Sequence, residues 1–169
     1  MLYFAYGSCM DETDFARTCP GASRYGLGVL SGYRLRFNGY SASRKGGIAN
    51  IERKPREEVY GVLWEVTPAM QKRLDRREGA PWFYRRIPVQ VVTEDGERVR
   101  AFTYELVQPY LWDVRPHPHY LYLLMRSAPE EAVSAIFQIL RNIRCIETEA
   151  DEIDDTCGRE IQPLAEAFF

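Results

Sequence analysis

One acidic side chain in this sequence is hard to explain by stability alone. Leu74-Asp75-Arg76-Arg77-Glu78-Gly79 reads as the last turn of a helix that opens at Thr67-Pro68. Thr67 suits the N-cap, Pro68 the first helical position, and Gly79 the left-handed residue that ends a helix. Met70, Leu74 and Glu78 fall at i, i+4 and i+8, so the carboxylate shares a face with apolar neighbours. It also stands at the helix C-terminus, where the macrodipole disfavours negative charge. Burial and dipole both raise its pKa, which suits a group that takes and returns a proton near neutral pH. The plainer alternative puts Glu78 on the helix rim, in water or paired with Arg85 or Arg86.

A second stretch carries potential chemistry at the backbone. Tyr6-Gly7-Ser8-Cys9-Met10 follows the short apolar run Leu2–Ala5 and precedes a helix start near Asp11. A loop between a buried strand and a helix can present successive amides to an anion or a developing oxyanion. Without a Walker lysine or a GxGxxG run, a simple strand-ending turn is the alternative. Cys9 could also be an activated thiolate, with His117 or His119 as its base. His117-Pro118-His119 as a metal site lacks a third ligand and reads as plain loop. Arg44, Lys45, Arg53 and Lys54 could steer an anionic substrate, or be ordinary solvated surface.

The elements that must position these residues are strand-rich. Tyr33–Phe37 alternates as a half-exposed strand, and the glycines at 26, 28 and 32 punctuate the segment before it. Ser41 to Gly47 is a polar, basic loop, and Gly47–Ile51 a short strand. Glu58–Val66 is the strongest strand, with Gly61 marking a bulge or a close approach. Tyr84–Thr93 and Glu97–Leu106 form a hairpin across Glu94-Asp95-Gly96. Val107 to His119 is a loop rich in proline and aromatics. Ser127 and Glu130 form a capping box for a helix whose core face carries Val133, Ile136, Phe137, Leu140 and Ile143. The tail after Cys145 is acidic, ordered only where Ile161, Leu164 and the last phenylalanines dock.

Strands outnumber helices without regular interleaving, which argues α+β with a mixed sheet or barrel. A chain of 169 residues is expected to be one domain. Its core spans about 1–125, and 126–169 hold a C-terminal helix and acidic tail. A net charge of −2 gives no pull toward nucleic acid or an anionic membrane. No stretch is apolar enough to span a bilayer, and no signal peptide is visible, so cytoplasmic residence is expected. Cys9, Cys19, Cys145 and Cys157 show no zinc spacing and are expected as free thiols. Eleven tyrosines suit a pocket with hydroxyl-bearing walls.

Four stretches occur in the order of one known family: Leu2-Tyr3-Phe4-Ala5-Tyr6-Gly7-Ser8, Gly46-Gly47-Ile48-Ala49, Val59–Trp64 and Leu74–Gly79. The chain resembles the γ-glutamylcyclotransferases and their AIG2-like relatives over roughly residues 1–125. The resemblance implies a small mixed β-barrel flanked by helices. It implies an enzyme that releases 5-oxoproline from γ-glutamyl compounds, with no metal or organic cofactor, and a homodimer as one mode of assembly. By motif, Glu78 matches the family's catalytic glutamate, Tyr3 to Ser8 its substrate-binding loop, and Tyr120 a pocket tyrosine. The family carries Asn after Tyr-Gly-Ser, where this chain has Cys9, so a side-chain amide is missing from the pocket edge. Two alternatives follow: a non-catalytic relative that binds a small metabolite, or a Cys9-dependent hydrolase.

The chemistry needs no nucleophilic side chain. The substrate's α-amine must lose its proton before attacking its own γ-carbonyl, and a carboxylate of raised pKa can take that proton and pass it to the leaving amine. The amides of Gly7, Ser8 and Cys9 could hold polar groups of the substrate. Because attack is intramolecular, folding the glutamyl chain into a near-attack conformer supplies much of the rate.

Overall fold

The structure is a computed structural model, described here for residues 1–143. Five strands close into a barrel: β1 (Leu2–Ala5), β2 (Ser23–Ser41), β3 (Gly46–Glu65), β4 (Tyr84–Thr93) and β5 (Arg98–Leu106). Their order around the barrel is β1-β3-β2-β4-β5. All pairings are antiparallel except β1 with β5, which is parallel and closes the wall. Four helices flank it: α1 (Glu12–Ala16), α2 (Pro68–Arg77), α3 (Pro118–Met125) and α4 (Glu130–Asn142). The mixed α+β barrel expected from the strand pattern is therefore present, as is the hairpin across Glu94-Asp95-Gly96, where Gly96 takes φ +79°.

The largest departure lies in the β2–β3 ribbon. Glycines 26 and 32 do not end strands; they fall at register shifts inside one 19-residue strand. Likewise the two short strands read at 47–51 and 58–66 are parts of one 20-residue strand. The pairing jumps from Ser31↔Glu58 to Tyr33↔Arg53, so residues 54–57 bulge outward opposite Gly32. Pro55 sits in that bulge, where its missing N–H forfeits no ladder bond. A polar run containing proline thus reads as a break although the chain continues.

A second bulge matters more for the site. Between Arg36↔Asn50 and Gly39↔Ile48, Phe37 and Asn38 face Ala49 alone. Ala49 thereby falls out of the ladder, and its N–H and C=O must find partners elsewhere. Tyr84 donates its hydroxyl to the Ala49 carbonyl at 2.6 Å, and the Ala49 N–H donates to Tyr120 Oη at 3.2 Å. On the other strand, Phe37 N–H donates to Asp113 at 2.7 Å, and Asn38 O accepts from Tyr110 N–H at 2.7 Å. The same bulge therefore orients two tyrosines inward and ties down the 107–117 segment outside.

Two helix starts differ from expectation. Residues 117–119 are not plain loop: His117 is the N-cap of α3, its Nδ1 accepting from His119 N–H at 3.2 Å, and Pro118 is the first helical residue. The capping box at Ser127 is absent, because Pro129 is the N-cap of α4 and Ser127 donates instead to Asp11 Oδ2 at 2.8 Å. Ser127 lies two residues ahead of that cap, out of place to accept from the first turn, and its hydroxyl proton is directed at Asp11. Asp11 caps α1 through Asp14 N–H and binds the Arg126 guanidinium, all while only 4% exposed. The hydrophobic face of α4 is otherwise as read, with Val133, Ile136, Leu140 and Ile143 buried and Phe137 packed beside them. The acidic tail, with Cys145, Cys157, Ile161 and Leu164, lies outside the described residues.

Hydrogen bonds from Arg126 hold the Asp11 carboxyl down at about 2, outweighing the upward push of burial. A depressed pKa adds stability that is present above the ordinary carboxylate range and lost as pH falls through about 2. Asp11→Ala is expected to cost about 2 kcal/mol at pH 6, from the lost cap and the stranded partners. Urea unfolding at pH 6 and again near pH 2 should show the gap to wild type closing in acid.

Candidate active site

The cavity opens at the end of the barrel where β1 meets the C-terminus of α2. It holds about 260 Å³, below the roughly 300–1,000 Å³ typical for drug-sized ligands. Its walls come from five places: β1 and the turn after it, the β2–β3 turn, the Ala49 bulge, the α2–β4 segment, and α3.

β1 ends at Ala5 and turns into a short 3-10 helix, Ser8–Met10, with Gly7 as its N-cap. The first intrahelical donor is Met10 N–H, which reaches Gly7 O at 2.9 Å. The amides of Ser8 and Cys9 precede it, so the helix provides them no acceptor. Gly7 faces the pocket tyrosine: a Cβ there would meet Tyr120 Oη at 3.5 Å and Ala49 Cβ at 3.7 Å, both ordinary contacts.

Glu78 arrives from the other side. Helix α2 is capped as expected: Thr67 Oγ1 accepts from Met70 N–H, Pro68 opens it, and Gly79 takes φ +62° beyond its end. Glu78 itself is the C-cap, its N–H donating to Leu74 O at 2.9 Å. Leu74 is fully buried and Met70 partly so, and Glu78 follows their face inward to line the cavity. Its side chain is 19% exposed, open to the cavity, and its Oε1 lies 3.8 Å from Arg77 Nε. Arg85 and Arg86 are engaged with Glu105 and Asp75 instead. Burial pushes the Glu78 pKa up; the Arg77 and Arg44 charges pull it back only in part.

Five tyrosines line the same space: Tyr3, Tyr6, Tyr84, Tyr104 and Tyr120. Tyr6 donates to Tyr104 O at 2.6 Å. Burial keeps the phenols of Tyr3, Tyr6 and Tyr84 well above their ordinary range, and pushes Tyr120 up to about 12, so all four stay neutral. Arg77 is pinned beside them by Asp14, Thr18 Oγ1 at 2.8 Å and Ser8 Oγ at 3.2 Å.

The seven residues that the resemblance assigns to catalysis or substrate binding, Glu78, Tyr3, Tyr6, Gly7, Ser8, Cys9 and Tyr120, all line this one cavity. The model of the family described as gamma-glutamyl cyclotransferase, AIG2-like matches residues 3–122. The chain belongs to that family. It is similar to a gamma-glutamylcyclotransferase of Bos taurus, 30% identical over 142 residues, which are 81% of this chain and 74% of the bovine one. The Homo sapiens gamma-glutamylcyclotransferase is 29% identical over 165 residues, 91% of this chain and 86% of its own. A solved structure of a gamma-glutamyl cyclotransferase matches with a TM-score of 0.75 at 25% identity, covering 96% of this chain and 98% of the other.

Against that family background Cys9 can be placed. The residue is 4% exposed, and burial pushes its thiol up to about 12, the Arg77 charge notwithstanding. Such a thiol is not the thiolate a nucleophile needs. His117 and His119 are exposed and are not among the residues lining the cavity, so the thiolate–imidazole arrangement is not formed. The Cys9 carbonyl accepts from Trp64 Nε1 at 2.9 Å, fixing the turn against the core. Of the basic residues, Arg44 enters the cavity wall, whereas Arg53 stacks over Tyr33 on the outside. Among the described residues no helix is long and apolar enough to cross a membrane.

Sequence reasoning did not find Tyr84, Tyr104 or Arg77 as wall residues. Tyr84 and Tyr104 belong to a hairpin that reaches the cavity only once the barrel closes. Arg77 carried no local signal: neighbouring helical positions do not face each other, and its partners Asp14, Thr18 and Ser8 reach it only in the folded chain.

Proposed function

We propose that this chain releases 5-oxoproline from a small γ-glutamyl amine, amino acid or peptide, with Glu78 as general acid and base. The observation that carries this is the shared cavity: a carboxylate of raised pKa and an amide-bearing turn face the same enclosed space. In the reaction the substrate's α-amine gives a proton to Glu78 and its nitrogen attacks the γ-carbonyl carbon. The tetrahedral oxyanion forms against the Gly7–Cys9 amides. Collapse breaks the bond to the departing nitrogen, which takes the proton from Glu78; the ring nitrogen's second proton follows by way of the same carboxylate, so the amine leaves as an ammonium. The products are 5-oxoproline and the protonated amine; no water is consumed, and Glu78 ends as it began. Tyr3, Tyr6 and Tyr120, held neutral, contribute donors and shape without adding charge.

The test is 5-oxoproline release from a panel of γ-glutamyl compounds. Turnover of at least one is expected, and saturable binding with no turnover across the panel would instead favour a non-catalytic relative. Cys9→Ala separates the cysteine hydrolase: it is expected to cost at most about tenfold, whereas loss of a true nucleophile costs on the order of 10⁶. Buried free thiols at Cys9 and Cys19 suit a reducing compartment, and the proposal includes cytoplasmic residence.

A further inference from the structure

The cavity holds one more charged group that the proposed chemistry does not use. Arg44 sits in the four-residue turn between β2 and β3, whose backbone is fixed by Lys45 N–H to Ala42 O at 3.3 Å and Arg44 N–H to Ser41 Oγ at 3.4 Å. The side chain leaves the turn and lies against the cavity wall, its guanidinium 4.5 Å from the centroid of the Tyr120 ring. One arm donates to Ser8 Oγ at 3.2 Å.

Two guanidinium groups thus meet on one hydroxyl, but their charges are handled differently. Arg77 is neutralised by Asp14 and lies near Glu78. For Arg44, no carboxylate among the described residues stands within 4.0 Å, although its charge is felt at Glu78 and pulls that carboxyl's pKa down. A guanidinium has five N–H donors in a fixed fork that matches a carboxylate, and here an aromatic face holds the plane in place. Held in the cavity wall with no carboxylate at ion-pair distance among the described residues, the fork has donors to offer an anionic ligand.

From this we infer that Arg44 is the residue that binds a carboxylate of the substrate. The inference rests on the γ-glutamyl reading above. A γ-glutamyl amino acid offers two carboxylates: that of the glutamyl unit and that of the departing amino acid. Both present the same chemistry to the fork, and the experiment tells them apart.

Three compounds are compared: γ-glutamyl-alanine, γ-glutamyl-alaninamide, which lacks the departing carboxylate, and 4-aminobutyryl-alanine, which lacks the glutamyl one. Cyclisation of each is followed as kcat/KM for wild type, Arg44→Gln and Arg44→Lys. Arg44→Gln is expected to lower kcat/KM for γ-glutamyl-alanine roughly 10- to 100-fold, the cost of a charge-assisted hydrogen bond. Arg44→Lys should recover part of it, as a point charge without the fork. The compound already lacking the partner carboxylate should lose at most about twofold, and its identity names the carboxylate bound. Comparing each variant with wild type on the same compound cancels intrinsic differences in amine basicity.

A merely structural role in the turn would lower all three compounds alike, and that result would overturn the inference. The same three compounds are also titrated calorimetrically into Glu78→Gln with and without Arg44→Gln, where nothing is turned over. If wild type turns over nothing but Arg44 still discriminates in this titration, the γ-glutamyl cyclotransferase reading fails and the carboxylate site stands. If turnover occurs and neither measurement depends on which carboxylate is missing, the reading stands and Arg44 does not.

Discussion

Glu78→Gln is expected to lower kcat for 5-oxoproline release by about 10²–10⁴-fold, the usual contribution of a positioned acid–base group. Gln keeps the shape and the cavity but can neither take nor return a proton. The same substitution is expected to raise the melting temperature at neutral pH. Burial is the largest influence on Glu78 and raises its pKa, the Arg77 and Arg44 charges offsetting only part of this. A carboxyl whose pKa is raised on folding contributes stability that is fully present below its unfolded value, about 4.3. That contribution is lost as pH rises through the raised folded value. Wild type therefore carries a penalty at neutral pH that the neutral isostere lacks. Thermal unfolding of both proteins across pH 4 to 8 should show the variant's advantage growing toward pH 8. If the advantage instead fell with pH, the arginines would dominate and the acid would be an ordinary ion-pair partner. For the wild-type enzyme, activity should rise with pH along a limb above the ordinary carboxylate range, because the base must be ionised to start.

The site's acidic half was legible because one local rule governs it. Thr67, Pro68, Leu74 and Gly79 fix where α2 starts, which way it faces and where it stops, so the direction of Glu78 follows from periodicity. The turn at Gly7 was legible for a similar reason, as an apolar run stopping at glycine. What was not legible depends on pairing between distant strands. Tyr84 and Tyr120 face inward because Ala49 drops out of the β2–β3 ladder, and nothing near either tyrosine announces that bulge. Ser127 shows the converse: a locally sound capping motif does not form, because α4 is capped at Pro129 and the Ser127 hydroxyl is directed at Asp11, a residue 116 positions away. Arg44 could be seen as basic but not as a cavity-wall residue with no carboxylate within 4.0 Å among the described residues, since that requires knowing which acids fold near it.

Gly61→Ala is expected to destabilise the fold by about 3 kcal/mol or more, the upper end for overpacking. A methyl group there would sit 2.2 Å from the Ala5 carbonyl oxygen and 2.9 Å from the ring of Phe4. The obstacle is backbone, and it has nowhere to go. β1 is paired to β3 on one side, with Ala5 opposite Val62, and to β5 on the other, with Tyr3 opposite Phe102. Thr103 Oγ1 also donates to Phe4 O at 2.8 Å, and Phe4 is fully buried. Gly28, directly across from Gly61 in the β2–β3 pairing, makes the control. An added Cβ there meets side chains, Val91 Cγ1 at 2.5 Å and Leu63 Cδ1 at 3.1 Å, which can rotate. Neither glycine has a left-handed backbone, so conformational strain does not separate them. Urea midpoints at unchanged slope should therefore fall much further for Gly61→Ala than for Gly28→Ala. Equal losses would mean that β1 can slide away from β3. That would undermine the account of the site too, because β1 delivers Tyr3, Tyr6 and the Gly7–Cys9 turn to the cavity that Glu78 faces.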